Sequence, residues 1–449
     1  MKGRKLLKRS VIKIRPVSNN QISLPKYCNI RESLTPIILI LKLFGLYHEV
    51  NGCDSGTVEP ASESSTDVTE GPGERGGTPE GGHAVVETLG KLHLHEKQHG
   101  LWVCLLTKCC SVLVLLIVLA NTVKHLWTVS DMNSSTIAFK IVMINWNTQN
   151  FLTTLCLFIS CWKRQHFRAF YRQCMELFSE PTTRELGLQP PDCRKAIRVF
   201  VVIGSSYFLF NVASVGTIIF YDRISIQDFF RKILIDPLPI NTLTLVVALF
   251  VHAINTAAWT FPTVFVVCTA HLFTAQFHTF SKTLERHVEN SGGNIPVMFK
   301  HLRTRHMKLC DILGTYNLFL KWYLTITYMA TIIGSCFILY DLIFRSLDPL
   351  SFALYVFWLG TNLSIAVALA VSLSSVHESA HEPLEVLVKL ETENADLSQV
   401  IQVQLFLAKL TGTSIGATVM DLFVVTKESI LTIAGAYITY FLLVTQYDL

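Results

Sequence analysis

Seven stretches of this chain are long and apolar enough to cross a hydrocarbon layer of about 30 Å. They cover 105–126, 136–161, 199–221, 243–268, 319–344, 352–376 and 430–447. An earlier apolar run over 34–46 is too short to span and predicts an interfacial or cytosolic helix. Helix-forming sequence continues beyond three of the spans. It runs from the fourth through 276–288 to a break at Ser291-Gly292-Gly293, approaches the fifth from about Phe299, and leaves the sixth through 377–390. A further mostly apolar helix is predicted over 397–410, with Leu397, Val400, Ile401, Val403, Leu405, Phe406 and Leu407. These four helical pieces are expected to pack as a second bundle surrounded by water.

The closing apolar stretch carries polar residues at helical spacing. Thr439, Leu442 or Leu443, and Gln446 step at i, i+3 or i+4, and i+7, so they share one face. A polar stripe on a membrane helix faces protein or water rather than lipid. It therefore marks either a pore lining or a tight contact with the chain's own bundle.

Composition agrees with a polytopic membrane protein. The chain has 449 residues, of which 50% are hydrophobic and 16% charged, against about 25% charged in ordinary soluble domains. The basic start, Met1-Lys2-Gly3-Arg4-Lys5, is followed by residues too polar for the apolar region of a cleavable signal peptide. Orientation follows from Lys and Arg. Lys163, Arg164, Arg168, Arg172, Arg184, Arg194 and Lys195 fall between spans two and three, and Lys282, Arg286, Lys300, Arg303, Arg305 and Lys308 between spans four and five. The alternate loops are poor in both. The expected fold is thus all-α, with seven transmembrane helices, the N-terminus cytoplasmic and the C-terminus extracellular. A glycosylation sequon at Asn133 falls in an expected outer loop. This orientation is the reverse of a G-protein-coupled receptor, and neither an Asp-Arg-Tyr-like triplet nor an Asn-Pro-x-x-Tyr motif is present.

The divisions expected are a basic cytosolic segment over 1–50, a disordered low-complexity linker over 51–100, spans one to six with their extensions over 101–390, a cytosolic helix over 391–426, and span seven over 427–449. The linker is rich in Gly, Ser, Thr, Pro and Glu, and buries too little apolar surface to fold. His83, His93, His95 and His99 follow it at spacings that match no zinc pattern. The cysteines lie in spans or basic loops, so neither a disulfide nor a metal site is expected. No cofactor and no nucleic-acid partner is implied. Enzyme chemistry is not expected either: the chain has no nucleophile–base set and no phosphate-cradling Gly-rich loop. A transporter is opposed by the lack of an internal repeat.

The outer halves of the spans carry polar and aromatic residues that suit a small-ligand pocket. Candidates are Asn145 and Trp146 in span two, His252, Asn255 and Trp259 in span four, Tyr328 in span five, and Tyr355, Trp358 and Asn362 in span six. His252, Asn255 and Trp259 recur at i, i+3 and i+7, as do Tyr355, Trp358 and Asn362, so two matching faces are placed to line one cavity. Ordinary interhelical hydrogen bonding is the alternative.

The sequence Thr439-Tyr440, five mostly hydrophobic residues, then Gln446-Tyr447 resembles the closing signature of the insect gustatory receptors. It departs in Tyr447, where the family has Phe, and in the polar Thr445. The runs 413–436 and 36–46 are also similar to the family, and the likeness covers 33–449 apart from the linker. The resemblance implies a ligand-gated, non-selective cation channel, assembled as a tetramer or with related subunits in the plasma membrane of a sensory neuron dendrite. It implies a pore lined by the last helix, with Gln446 at the constriction, and an intersubunit anchor built from the cytosolic extensions. On that footing Thr439, Leu443, Gln446, Tyr447 and Asp448 are the expected pore residues. Four Leu443 side chains form a dewetting constriction, and four Asp448 carboxylates favour cations at the mouth. Sweet-responsive members carry Glu after the Thr-Tyr pair, where Phe441 stands, so other tastants, bitter or fructose-type, are favoured. A seven-helix receptor signalling through a partner, or a transporter, is the alternative.

Overall fold

A computed structural model describes residues 30–46, 82–127, 137–162, 166–179, 185–188, 191–220, 235, 238–347, 349–393 and 395–446. The elements in chain order are α1 (Ile30–Leu43), α2 (Gly82–Trp127), α3 (Ile137–Trp162), α4 (His166–Ser179), α5 (Arg194–Phe220), α6 (Thr242–Asn290), α7 (Phe299–Phe344), α8 (Pro349–His381), α9 (Pro383–Val388), α10 (Leu397–Gly412), a two-stranded hairpin of β1 (Thr418–Val419) and β2 (Phe423–Val424), and α11 (Lys427–Gln446). Helix α2 starts at Gly82, inside the stretch whose composition suggests a linker. The rest of that stretch, 51–81, lies outside the described residues, as do the sequon at Asn133 and the pore candidates Tyr447 and Asp448.

The architecture is a bundle of seven transmembrane helices. Among the described residues, five helices carry segments apolar and long enough to cross a membrane: Leu105–Trp127 within α2, α5, α6, α7 and Ser351–Val388. Helices α3 and α11, with 26 and 20 residues, complete the set, since 20 residues at 1.5 Å each already reach about 30 Å. Helix α3 packs on α2 and α7, α5 and α8 pack on α6, and α11 packs on α7 and α8. Helices α6 and α7 are 49 and 46 residues long, roughly 70 Å each, so both continue far beyond any bilayer.

Local sequence explains the ends of α6. Asn241 Oδ1 accepts from Thr244 N at 2.9 Å while Asn241 N donates to Thr244 Oγ1 at 3.0 Å, a reciprocal capping box that satisfies two of the orphan donors of the first turn. At the other end Gly292 and Gly293 take φ of 64° and 86°, left-handed values that glycine adopts without a Cβ clash. The break expected at Ser291-Gly292-Gly293 is therefore where the helix stops. Between the two long helices, Thr263 Oγ1 and Tyr323 Oη stand 2.8 Å apart and Thr269 Oγ1 and Tyr316 Oη 2.5 Å apart.

Helix α1, expected to be interfacial or cytosolic, is docked on the bundle. Leu34, Ile37 and Leu41 are buried at i, i+3 and i+7, and the Phe44 ring packs on Phe208 of α5 at 5.3 Å and Phe261 of α6 at 5.2 Å. Gly45, at φ 64°, ends it; a Cβ there would meet Cys110 O at 2.9 Å.

Beyond the spans, α6, α7, α9 and α10 form the second bundle that the sequence predicts. His306 is at its centre, fully buried, ringed by Phe277, Phe280 and Phe406 at 5.3, 5.1 and 5.0 Å. Its Nε2 is 3.1 Å from Ala380 O and so donates, which leaves Nδ1 to accept from the Cys310 thiol at 3.5 Å. Both ring nitrogens are satisfied in the neutral form, and burial lowers the imidazole pKa to about 4. The same burial raises the Cys310 thiol to about 12.

Within 391–426, the helix expected over 397–410 is α10. The hairpin follows it, turning through Met420 and Asp421 at φ of 49° and 60°. Two consecutive left-handed residues give the backbone twist that a tight hairpin requires. Asn317 of α7 holds the hairpin, donating from Nδ2 to Gly416 O at 2.8 Å and accepting from Thr418 N at 3.4 Å.

Candidate functional site

Helices α3, α5, α6, α7 and α8 enclose a cavity of ≈ 70 Å³. Six of the nine residues expected to bind ligand line it: Asn145, Trp146, His252, Trp259, Trp358 and Asn362. Trp146 is the central wall, with its ring 5.4 Å from His252 and 6.5 Å from Trp259 at an interplanar angle of 85°. A second cavity of ≈ 380 Å³, which includes Lys124 and His125 of α2, shares Met143, Trp146 and His252 as its wall.

The polar side of the cavity is built on one glycine. Asn145 Nδ2 donates to Ala330 O at 2.7 Å. Asn362 Nδ2 donates to Thr331 O at 3.2 Å and to Ser335 Oγ at 2.9 Å. A helix carbonyl has a second lone pair after its own helical bond, so it can take such an amide. Close approach needs room between these carbonyls, and Gly334 provides it. A Cβ there would stand 3.1 Å from Asn145 Nδ2 and 3.3 Å from Asn362 Nδ2.

On the α6 side, His252 Nε2 is 2.8 Å from Asn211 Oδ1. Thr256 Oγ1 lies 3.3 Å from the same nitrogen and donates to His252 O at 2.9 Å. Asn211 offers its carbonyl oxygen, which places the imidazole proton on Nε2. His252 Nδ1 and Trp259 Nε1 are buried with no hydrogen-bond partner.

Three expected residues are not brought to this cavity. Asn255, fully buried, donates to Val251 O of its own helix at 2.9 Å. Tyr355 packs with Phe139 at 5.7 Å and Trp358 at 5.9 Å in the apolar cluster that backs the cavity wall. Tyr328 instead lines a ≈ 520 Å³ groove between α7, α8 and α11, together with Ser335, Cys336 and Tyr437. A spacing of i, i+3, i+7 leaves the middle residue about 60° from the first and about 40° from the last, enough to turn Asn255 out. Conversely, Gln149, Asn211 and Gly334 line the cavity. Gln149 is four residues after Asn145, so the helical period pointed to it. Asn211 is a buried amide within a span, a functional signal by its cost alone. Nothing in the apolar run around Gly334 marks it.

Helix α11 is covered on one side only. Ile430, Ile433, Tyr437 and Phe441 recur at i, i+3, i+7 and i+11 and face the groove on α7 and α8. Thr439, Leu443 and Gln446 lie on the other side and are exposed in the single chain, with Leu443 47% exposed. The stripe therefore does not pack against the chain's own bundle. Tyr440 is also exposed.

The model of the 7tm Chemosensory receptor family matches residues 94–449. Among solved structures, the chain is similar to the insect olfactory receptor OR5 from Machilis hrabei, with a TM-score of 0.57 and 11% sequence identity over 93% of this chain and 99% of that one. The same receptor in complex with eugenol gives a TM-score of 0.58 at the same identity and coverage. At that identity the likeness is one of fold. No curated protein matches the sequence.

Proposed function

This chain belongs to the 7tm chemosensory receptor family, and we propose that it is a gustatory receptor acting as a ligand-gated, non-selective cation channel. The observation that carries this reading is the one-sided packing of α11. A 20-residue apolar helix turns Ile433, Tyr437 and Phe441 inward and leaves Thr439, Leu443 and Gln446 uncovered. Association of four chains around that uncovered face gives rings of hydroxyl, isobutyl and amide groups. The Leu443 ring closes by dewetting, and the Gln446 amides bond to one another when shut and to water when open. Beyond the described residues, Asp448 is assigned to the cation-selecting mouth and Tyr447 to the pore lining.

The opening stimulus is a small tastant held in the cavity around Trp146. Its walls are aromatic and its polar groups few, as small-ligand sites require. The complex of the OR5 receptor with eugenol, a small molecule bound by a protein of like fold, supports that kind of ligand. The Lys and Arg distribution supports a cytosolic N-terminus and extension bundle, an outer C-terminus, and residence in the plasma membrane of a sensory neuron dendrite, with Asn133 available for glycosylation on the outside.

The test is expression in a cell that lacks chemoreceptors, alone or with a related subunit, with currents recorded against a tastant panel. A ligand-evoked cation current whose conductance or gating changes in Gln446→Ala is expected. A C-terminal tag reached by antibody only after permeabilisation would sink the proposed orientation.

A further inference from the structure

Gln149 stands apart from the other polar residues of the cavity. It lines the cavity from α3 and is 4% exposed. Its backbone carbonyl accepts from Thr153 Oγ1 at 2.8 Å, but among the described residues nothing bonds its side-chain amide. His252 Nδ1 and Trp259 Nε1 are sealed from open space, whereas both amide atoms of Gln149 keep accessible surface. In a residue buried to that degree, this surface opens into the cavity. A buried amide left unbonded is costly. The neighbouring amides are turned by what they bond. A carbonyl only accepts, so Asn145 Nδ2 and Asn362 Nδ2 face the α7 carbonyls, and each residue leaves Oδ1 as an acceptor. Trp146 Nε1–H has no partner among the described residues and is a donor only. The free groups are thus neutral amide oxygens, one amide NH₂ and one indole N–H. No Asp, Glu, Lys or Arg lines the cavity, so a charged ligand would be buried without a counter-ion.

We propose that this cavity selects a small neutral carboxamide, open-chain or cyclic, paired edge to edge with Gln149. The ligand N–H donates to Gln149 Oε1, and the ligand carbonyl accepts from Gln149 Nε2. A group that carries N–H and C=O side by side makes both bonds at once. The second lone pair of its carbonyl suits Trp146 Nε1–H. A second N–H, present in a primary carboxamide, suits Asn145 Oδ1, one turn or about 6 Å back along α3. The rest of the molecule lies against the apolar and aromatic walls. This assignment rests on the reading of the cavity as the tastant site.

Three five-membered rings of equal heavy-atom count separate the terms. Pyrrolidin-2-one presents the amide edge, cyclopentanone keeps the carbonyl without the N–H, and cyclopentanol puts donor and acceptor on one oxygen. Burial of apolar surface alone would favour the last two over the first. The full-length receptor, purified in detergent, is tested for binding by its thermal shift, and in cells by evoked current. On the wild type, pyrrolidin-2-one is expected to bind tightest, by roughly tenfold over either. In Gln149→Met, which keeps the length of the side chain but no amide, its advantage over cyclopentanone is expected to vanish. If cyclopentanone or cyclopentanol equals or exceeds pyrrolidin-2-one on the wild type, the selection proposed is wrong whether or not the variant folds. It is equally wrong if none of the three binds, or if Gln149→Met keeps the preference. Binding in the expected order without any current leaves this proposal standing and removes the channel reading. A current evoked by the probes in the apolar order does the reverse.

Discussion

Asn362 Nδ2 stands 2.9 Å from Ser335 Oγ, and these two residues belong to different spaces. Asn362 lines the cavity around Trp146, whereas Ser335 lines the groove in which α11 lies. One hydrogen bond between α8 and α7 thus joins the candidate ligand site to the candidate pore helix. The groove side is further tied by Cys336 Sγ, which donates to Tyr437 O of α11 at 3.7 Å. Energetic coupling needs such physically contiguous contacts together with an element that has two arrangements, and α11 is that element in the proposed mechanism.

Removing this bond is expected to change ligand efficacy rather than permeation. Ser335→Ala and Asn362→Leu should each shift the dose–response curve while single-channel conductance stays as in the wild type. The double variant should be less than additive, with an interaction energy of about 0.5–3 kcal/mol, as for residues in direct contact. Additive shifts would show that the two sites do not communicate through this pair.

Gly334→Ala should displace both cavity amides. Its Cβ would press on Asn145 Nδ2 and Asn362 Nδ2 at 3.1 and 3.3 Å, and overpacking of this kind costs roughly 1–3 kcal/mol. A lower melting temperature of the purified protein and weaker ligand potency are expected together. Gly314, which has open space where a Cβ would stand, is the control: Gly314→Ala should leave both unchanged.

The extension bundle should weaken in acid. His306 is neutral at its lowered pKa of about 4, while in the unfolded chain it titrates near 6.5. Between these values the unfolded state binds the extra proton, so the stability that neutral His306 contributes is present above about pH 6.5 and is lost as pH falls towards 4. The loss amounts to about 3 kcal/mol when complete. Positive charge on Lys409 and His381 acts in the same direction. Melting curves at pH 7.5 and pH 5 measure it, and His306→Phe should flatten the difference.

At the pore helix, Leu443→Thr should raise the current in the absence of ligand, because a hydroxyl ring wets more readily than an isobutyl ring. Ile433→Thr, on the face turned to α7 and α8, should instead lower receptor yield. Equal basal currents in the two variants would argue against the assignment of faces.

The seven spans, the long extensions and the break at Gly292-Gly293 were legible along the chain, because each depends on local properties: apolar length, helical period and a glycine able to take positive φ. The candidate cavity was legible in part, since buried Asn, His and Trp residues within membrane spans are costly and stand out without any fold. Which of them meet was not. Helical spacing placed Asn255 beside His252 and Trp259, but an angular offset of about 40–60° and the contact of α6 with its neighbours directed it elsewhere. Tyr328 and Tyr355 were drawn to α11 and to Phe139 by packing between elements far apart in sequence. The docking of α1 through Phe44, the hairpin held by Asn317 and the aromatic cage around His306 are likewise long-range. The pattern of hydrophobic and polar residues determines which helices form and how far they run. Only the packed bundle decides which polar atoms remain unpaired and which face of α11 stays open, because both depend on the distances between helices.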